Sequence, residues 1–167
     1  FLTGRGCPYG CDYCSNHLLN ELYKNKRKKI LRLHSVDYII RGILLLKKRF
    51  PTLSYFDIRD DTFSMRSTEQ IREFCEKYKH EVNMRFKCLA DPKTVTKEKI
   101  QMLVKAGCTD IIIGIQGSQR VNQEIYHRNQ NDEGVLRASE ILTKHKKLAV
   151  MYDVITCNPY EKPEDII

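Results

Sequence analysis

The apolar positions of this chain follow two alternating periods. Val36, Ile39, Ile40, Ile43 and Leu44 recur at i, i+3, i+4, i+7 and i+8, which is one apolar face of a helix. Ser35 can cap its start, and the basic end Lys47-Lys48-Arg49 is followed by Pro51. Residues 55–59 then read as a short strand. Ser67 and Gln70 have the S-x-x-Q form of a capping box, and Ile71, Phe74, Cys75 and Tyr78 make a second helix face. Residues 82–88 read as another strand. Thr96 opens a third helix with Ile100, Leu103 and Val104 facing inward; Gly107 closes it after Lys105. Residues 110–115 are nearly continuous apolar sequence, the mark of a strand buried on both faces. A fourth helix over about 132–145 carries Val135, Ala138, Ile141 and Leu142, and 151–156 is the last strand. Phe1-Leu2-Thr3 reads as the end of a first strand, and residues 164–167 as the first turn of a helix.

This string is a strand–helix pair repeated, ending on a further strand. Such alternation implies right-handed βαβ units, an α/β class and a parallel sheet. A doubly wound open sheet and a barrel both satisfy it. In either, function sits at the C-terminal ends of the strands.

Composition narrows the picture only a little. A chain of 167 residues suggests one domain, and 41% hydrophobic with 30% charged residues suits a soluble globular protein. No apolar run approaches membrane-spanning length, and no signal-peptide pattern is present, so no membrane partner is expected. The chain lacks an initiator Met, and with its strand-like start and helix-like end it reads as a piece of a longer protein. The net charge is +8, concentrated at Lys24, Lys26, Arg27, Lys28 and Lys29. A solvated loop is the preferred reading over a patch for an acidic partner. Few aromatics are interleaved there, so single-stranded nucleic acid is not indicated as a partner.

The chemistry is concentrated near the start, in Gly4-Arg5-Gly6-Cys7-Pro8-Tyr9-Gly10-Cys11-Asp12-Tyr13-Cys14. The spacing is C-x3-C-x2-C, directly after the first strand. Clustered thiolates favour zinc, Cu(I) and iron–sulfur clusters. Structural zinc usually takes four ligands in paired knuckles, and no second C-x2-C or H-x3-H pair follows, so zinc would need a distant fourth ligand. A disulfide framework fits less well in a lysine-rich chain with an odd count of 7 cysteines. Three ligands to a four-iron cluster would leave one iron open to a small molecule. The other cysteines, Cys75, Cys88, Cys108 and Cys157, are expected in the core. His17 and His34 are isolated, and neither is expected to bind a metal.

This cysteine run resembles the cluster loop of radical S-adenosylmethionine (radical SAM) enzymes. The resemblance implies that Cys7, Cys11 and Cys14 ligate a [4Fe-4S] cluster whose fourth iron is chelated by the amino and carboxylate groups of S-adenosylmethionine (SAM). One electron then cleaves SAM to methionine and a 5'-deoxyadenosyl radical. The resemblance also favours a TIM-barrel-like (β/α)6 core, of which residues 1–167 would supply about five strands. Tyr13 would pack near the adenine.

Other segments match the family in order. Asp60-Asp61-Thr62-Phe63 is similar to a DD-x-F version of the Gly-Gly-Glu segment that contacts the SAM amino group. That version resembles the branch carrying an upstream cobalamin-binding domain. Gln116, Ser118 and Arg128 fall where the family binds the SAM ribose and carboxylate, with a bland alternative of helix cap for Ser118 and ion pair for Arg128. Ile155, in a stretch similar to D-x-I-x-D-N-P-x-E, falls near the adenine pocket.

The resemblance therefore implies a radical SAM enzyme, with cobalamin-dependent methyl transfer to carbon as the leading reaction. It also implies an electron donor such as flavodoxin or ferredoxin, and a reducing cytoplasm. The alternatives are a radical SAM enzyme without cobalamin acting on tRNA or a tetrapyrrole, and a non-catalytic zinc- or cluster-binding module. No substrate and no catalytic side chain are assigned.

Overall fold

A computed structural model describes residues 1–24 and 30–165. The basic run at Lys26, Arg27, Lys28 and Lys29 lies outside the described residues, as does the side chain of Lys24. The main sheet has four strands in the order β3 (Tyr55–Asp57), β4 (Arg85–Ala90), β5 (Cys108–Gln116) and β6 (Ala149–Val154), all parallel. The crossovers are α3 (Thr68–Lys77), α4 (Lys97–Ala106) and α5 (Asp132–Thr143). Ahead of them, β1 (Gly4–Arg5) pairs antiparallel with β2 (Arg32–Leu33), with α1 (Ser15–Lys24) between, and α2 (Val36–Arg49) leads into β3. The first segment extends the sheet only through Phe1, whose carbonyl takes the Arg59 amide at 2.8 Å.

The expected helices form for the expected reasons. Ser35 and Thr96 cap their helices, and Ser67 and Gln70 complete a reciprocal capping box. Gly107 ends α4 at φ 111°, and an added Cβ there would meet the Met84 carbonyl oxygen at 2.8 Å. The turn therefore requires glycine twice over, for its backbone angle and for the close approach of the backbone that leads into β4.

Several boundaries differ from expectation. Residues 78–82 continue α3 as a widened helical turn, closed by Asn83 in the left-handed region, so β4 begins at Arg85. Val82 is buried at the helix end; its apolarity signals core, not strand. The last strand begins at Ala149, where it pairs with Asp110, and ends at Val154. Apolar periodicity assigns no element to residues 15–33. Leu18, Leu19 and Leu22 on α1 are exposed, so its apolar pattern has no core behind it among the described residues. At the other end, the expected helix is represented by one tight turn, Pro163–Asp165; Ile166 and Ile167 lie outside the described residues.

The core decides between the two α/β layouts. Phe86, Cys88 and Ala90 of β4 and Ile111 and Ile113 of β5 pack into one cluster with Ile39 and Ile43 of α2, Ile71 and Phe74 of α3, and Ile100 and Leu103 of α4. The alternate positions Leu89, Ile112 and Gly114 stay out of that cluster and line a cleft. Helices thus cover one face and the other face is open and concave, as in part of a barrel. Among the described residues no helix is long and apolar enough to cross a membrane.

Candidate functional site

The cysteine loop follows β1 and folds over the ends of the main strands. Cys7 and Cys14 are half-buried, Cys11 is buried, and none is in a disulfide. The loop is tied at several points. The Cys14 amide donates to Cys11 O at 3.0 Å, Asn20 Nδ2 donates to Cys7 O at 2.8 Å, and Asn16 Nδ2 lies 3.7 Å from Cys14 Sγ. Burial pushes the Cys7 thiol up to about 11; the Tyr9 amide opposes this, and the charges of Cys11, Asp61 and Cys14 add to it. Burial also raises Cys11, against the pull of the Arg128 guanidinium.

The thiols feel one another's charge, and a polynuclear cationic centre would stabilise their thiolates together. Among the described residues no three His, Cys, Asp or Glu side chains converge as a ready-made cage for one metal ion. A cluster asks for something different, because it presents a separate iron to each thiolate. Three soft, unpaired thiols spread along one pinned loop fit that donor set.

The pinning comes from the segment after β5. The Asp12 amide donates to Tyr126 O at 3.1 Å, and His127 Nδ1 lies 2.7 Å from Asp12 Oδ2. Arg128 Nη1 donates to Tyr13 Oη at 2.8 Å, and the Tyr13 and Tyr126 rings meet edge to face at 4.9 Å. Arg128 also donates Nη2 to Asp91 Oδ2 (2.7 Å) and Gly114 O (2.9 Å), and Nε to Gln130 Oε1 (3.0 Å).

A bulge shapes the end of β5. The register with β6 shifts between Gly114 and Gln116, so Ile115 is the extra residue. Its carbonyl collects Asn122 Nδ2 and Gln130 Nε2, each at 2.9 Å. Gln116 is left at φ 68°, with its side chain turned back over Gly114. A Cβ on Gly114 would lie 2.5 Å from Gln116 Nε2 and 3.7 Å from Arg128 Nη1, so glycine is what lets both side chains cross the strand.

The two aspartates after β3 have separate jobs. Asp60 does not face the cleft. Its carboxylate is buried and accepts the Thr3 amide (2.6 Å), the Gly4 amide (3.0 Å), the Thr3 hydroxyl and Arg66 Nη1 (2.9 Å). Those four donors leave it no capacity for a ligand amino group, which corrects the expectation of a direct contact. Arg66 was missed in the sequence because nothing marks a buried arginine; its Nη2 donates to Thr3 O at 2.7 Å. Asp61 is exposed and lines the cleft, while accepting the Gly6 amide and Asn16 Nδ2, each at 2.8 Å.

The sequence-derived residues fall into three clefts. Asp61, Gln116 and Arg128 line one of about 90 Å³, with Leu89, Ile112 and Asp153. Arg128 and Asp91 also wall a neighbouring cleft of about 200 Å³ that reaches Tyr9 and Cys11. Ser118 and Ile155 line a third, of about 620 Å³, with Ile115, Val154 and Cys157. Ser118 is committed: its hydroxyl accepts from the Val121 amide at 3.3 Å and donates to Asp165 Oδ1 at 2.8 Å. The helix-cap alternative for Ser118 is therefore present in the structure. Arg120, hydrogen-bonded to Asp165, holds that carboxyl far below the usual carboxylate range. Cys157, expected in the core, is exposed at φ 63°.

Asp91 was not singled out in the sequence. An Asp-Pro pair after a strand reads as an ordinary cap, and Asp91 does cap Lys93 N at 2.9 Å. Its second oxygen, on Arg128, is visible only in three dimensions.

Comparison with known proteins agrees with this geometry. The chain resembles OxsB, a cobalamin-dependent S-adenosylmethionine radical enzyme, with TM-score 0.76 and 20% identity over 97% of this chain and 24% of that one. It resembles the radical S-adenosylmethionine methyltransferase TsrM from Kitasatospora setae with TM-score 0.78 and 16% identity over 99% of this chain and 32% of that one. It resembles coproporphyrinogen III oxidase (HemN) from Escherichia coli, a radical SAM enzyme, with TM-score 0.64 and 16% identity over 79% and 32%. At such identities the likeness establishes the fold, and the chain spans about a quarter to a third of each of these proteins. No curated protein sequence matches it. The family model of the radical SAM superfamily matches residues 1–167, the whole chain. With a parallel barrel-like sheet and a three-cysteine loop at its strand ends, this chain belongs to the radical SAM superfamily.

Proposed function

We propose that this chain is the SAM-cleaving core of a radical SAM enzyme, with Cys7, Cys11 and Cys14 as ligands of a [4Fe-4S] cluster. The observation that carries the reading is the pinning of three free thiols over the ends of β4 and β5, beside the cleft walled by Asp61, Gln116 and Arg128. When bound, the cluster and SAM supply one-electron cleavage of SAM to methionine and a 5'-deoxyadenosyl radical.

The chain's own residues bind and orient. Asp61 keeps lone pairs free beyond its two protein donors and suits a ligand amino group. Gln116 presents an amide to hydroxyls. Ile115, Val154 and Ile155 give the larger cleft apolar walls that suit a heterocycle, with Ser118 at its side. Arg128 has four of its donor directions taken by protein, which limits it to a single hydrogen bond toward a ligand carboxylate.

Likeness to OxsB and TsrM supports cobalamin-dependent methyl transfer as the reaction, with cobalamin held by a part of a longer protein outside this chain. Likeness to HemN supports the second reading, a radical SAM enzyme without cobalamin. Either needs an electron donor such as flavodoxin or ferredoxin.

The deciding experiment is anaerobic reconstitution with iron and sulfide, then reduction and EPR with and without SAM. A [4Fe-4S] signal that changes with SAM and is lost in the C7A, C11A and C14A variants is expected. A colourless protein holding stoichiometric zinc and indifferent to SAM would overturn the reading and leave a structural module.

A further inference from the structure

We propose that Asp91 is a positioning residue: acting through Arg128 and Tyr13, it sets where the cysteine loop lies over the sheet. This rests on the reading of the cysteine loop as the cluster site, and it adds a residue that the cysteine motif does not contain.

The connections are specific. Asp91 stands just beyond the end of β4 and is buried, with Oδ1 capping Lys93 N and Oδ2 on Arg128. Arg128 is fixed from three elements at once: Asp91 after β4, Gly114 O on β5, and Tyr13 of the loop. Tyr13 sits between two of the three cysteines and touches the sheet side through that hydroxyl and the Tyr126 ring. A guanidinium is planar, so fixing Nη2 on Asp91 and Gly114 also fixes the direction of Nη1. The loop end of the chain then inherits its position from the carboxylate.

Charge makes Asp91 the controlling member. The Arg128 side chain is 11% exposed, so its charge has little water and depends on its one carboxylate partner. Without Asp91, the guanidinium is free to seek another acceptor, and the Nη1 bond to Tyr13 is lost with it. Asp91 stands in the wall of both the 90 Å³ and the 200 Å³ clefts, but its carboxylate bonds only Lys93 N and Arg128 among the described residues, so its hold on the loop passes through the guanidinium.

Two variants separate the parts. Asp91→Asn keeps the cap on Lys93 N and removes the charge facing Arg128. Tyr13→Phe removes one hydroxyl and keeps the ring against Tyr126. Amide hydrogen exchange on the iron-free full chain reads the loop without any cluster, so its outcome is independent of whether the cluster reading holds. Exchange across residues 7–14, reported by the Asp12 amide, is expected to quicken about tenfold in both variants, the effect of one lost charge-assisted bond on a local opening. Exchange in β4 and β5 is expected to stay unchanged. The double variant should be no faster than Asp91→Asn alone, because both act through Arg128. After reconstitution, a shifted EPR line shape at unchanged iron content should accompany the looser loop. Unchanged exchange across 7–14 in Tyr13→Phe overturns the proposal, as does equal quickening in β4 and β5. If Asp91→Asn fails to fold, Tyr13→Phe alone decides.

Discussion

Asp60 and Arg66 form an ion pair at 2.9 Å with their side chains only 4% and 1% exposed. The pair joins the turn after β3 to Thr3 and Gly4, the residues that launch the cysteine loop. Lys99 reaches the same turn from α4, donating Nζ to Ser64 O (2.9 Å) and Arg66 O (2.7 Å). Removing one partner of a buried pair strands the other charge. Asp60→Asn should therefore lower unfolding stability by about 3–5 kcal/mol, measured by denaturant titration. A loss below about 1 kcal/mol would mean that Arg66 finds another acceptor.

Gly107 offers a local test of the fold. Alanine there adopts φ 111° only with strain and puts its Cβ against Met84 O. Gly107→Ala should cost about 1–2 kcal/mol for the left-handed conformation alone. The same change at Gly134, in the first turn of α5, needs no left-handed backbone and meets only the Asn131 cap side chain, at 2.9 Å from Oδ1, so it should cost less; thermal unfolding compares the two.

Burial holds the Cys75 thiol up at about 12 against an ordinary 9.0. The folded state thus keeps a proton that the unfolded chain releases first. Its contribution is complete below pH 9.0 and is lost as pH rises toward about 12. Cys75→Ala should make the alkaline decline in stability shallower, as followed by circular dichroism across that range. An unchanged slope would show that this thiol contributes nothing to it.

The two clefts make different predictions for SAM. Gln116 presents an uncommitted amide, whereas the Ser118 hydroxyl is occupied by Asp165. Gln116→Ala should weaken SAM binding to the reconstituted protein about five- to tenfold, the effect of one neutral hydrogen bond. Ser118→Ala should change it by less than about twofold, with calorimetry under anaerobic conditions as the measurement. The reverse order would place the ligand's hydroxyls against Ser118 and require Asp165 to release it.

Much of this protein is visible along the chain itself. Helix faces and caps are local: Ser35, Ser67 with Gln70, and Thr96 act on amides within one turn, so their effect is written in adjacent residues. The same holds for the C-x3-C-x2-C loop, whose ligand spacing is a property of neighbouring residues.

What the tertiary structure decided is which polar residues meet. Asp60 and Asp61 are adjacent and chemically identical, yet one is sealed under Arg66 and the other faces the cleft. Arg128 and Asp91 look like a surface cation and a helix cap until β4 and β5 place them 2.7 Å apart. The layout of the sheet, barrel-like or doubly wound, likewise depends on which strand face the helices cover, and a nearly continuous apolar run such as 110–115 does not show it. Local periodicity determines elements because it acts through backbone geometry within a few residues. Partnering of polar groups across 37 to 115 residues is settled only by packing, which decides which acceptors are within reach of a buried donor.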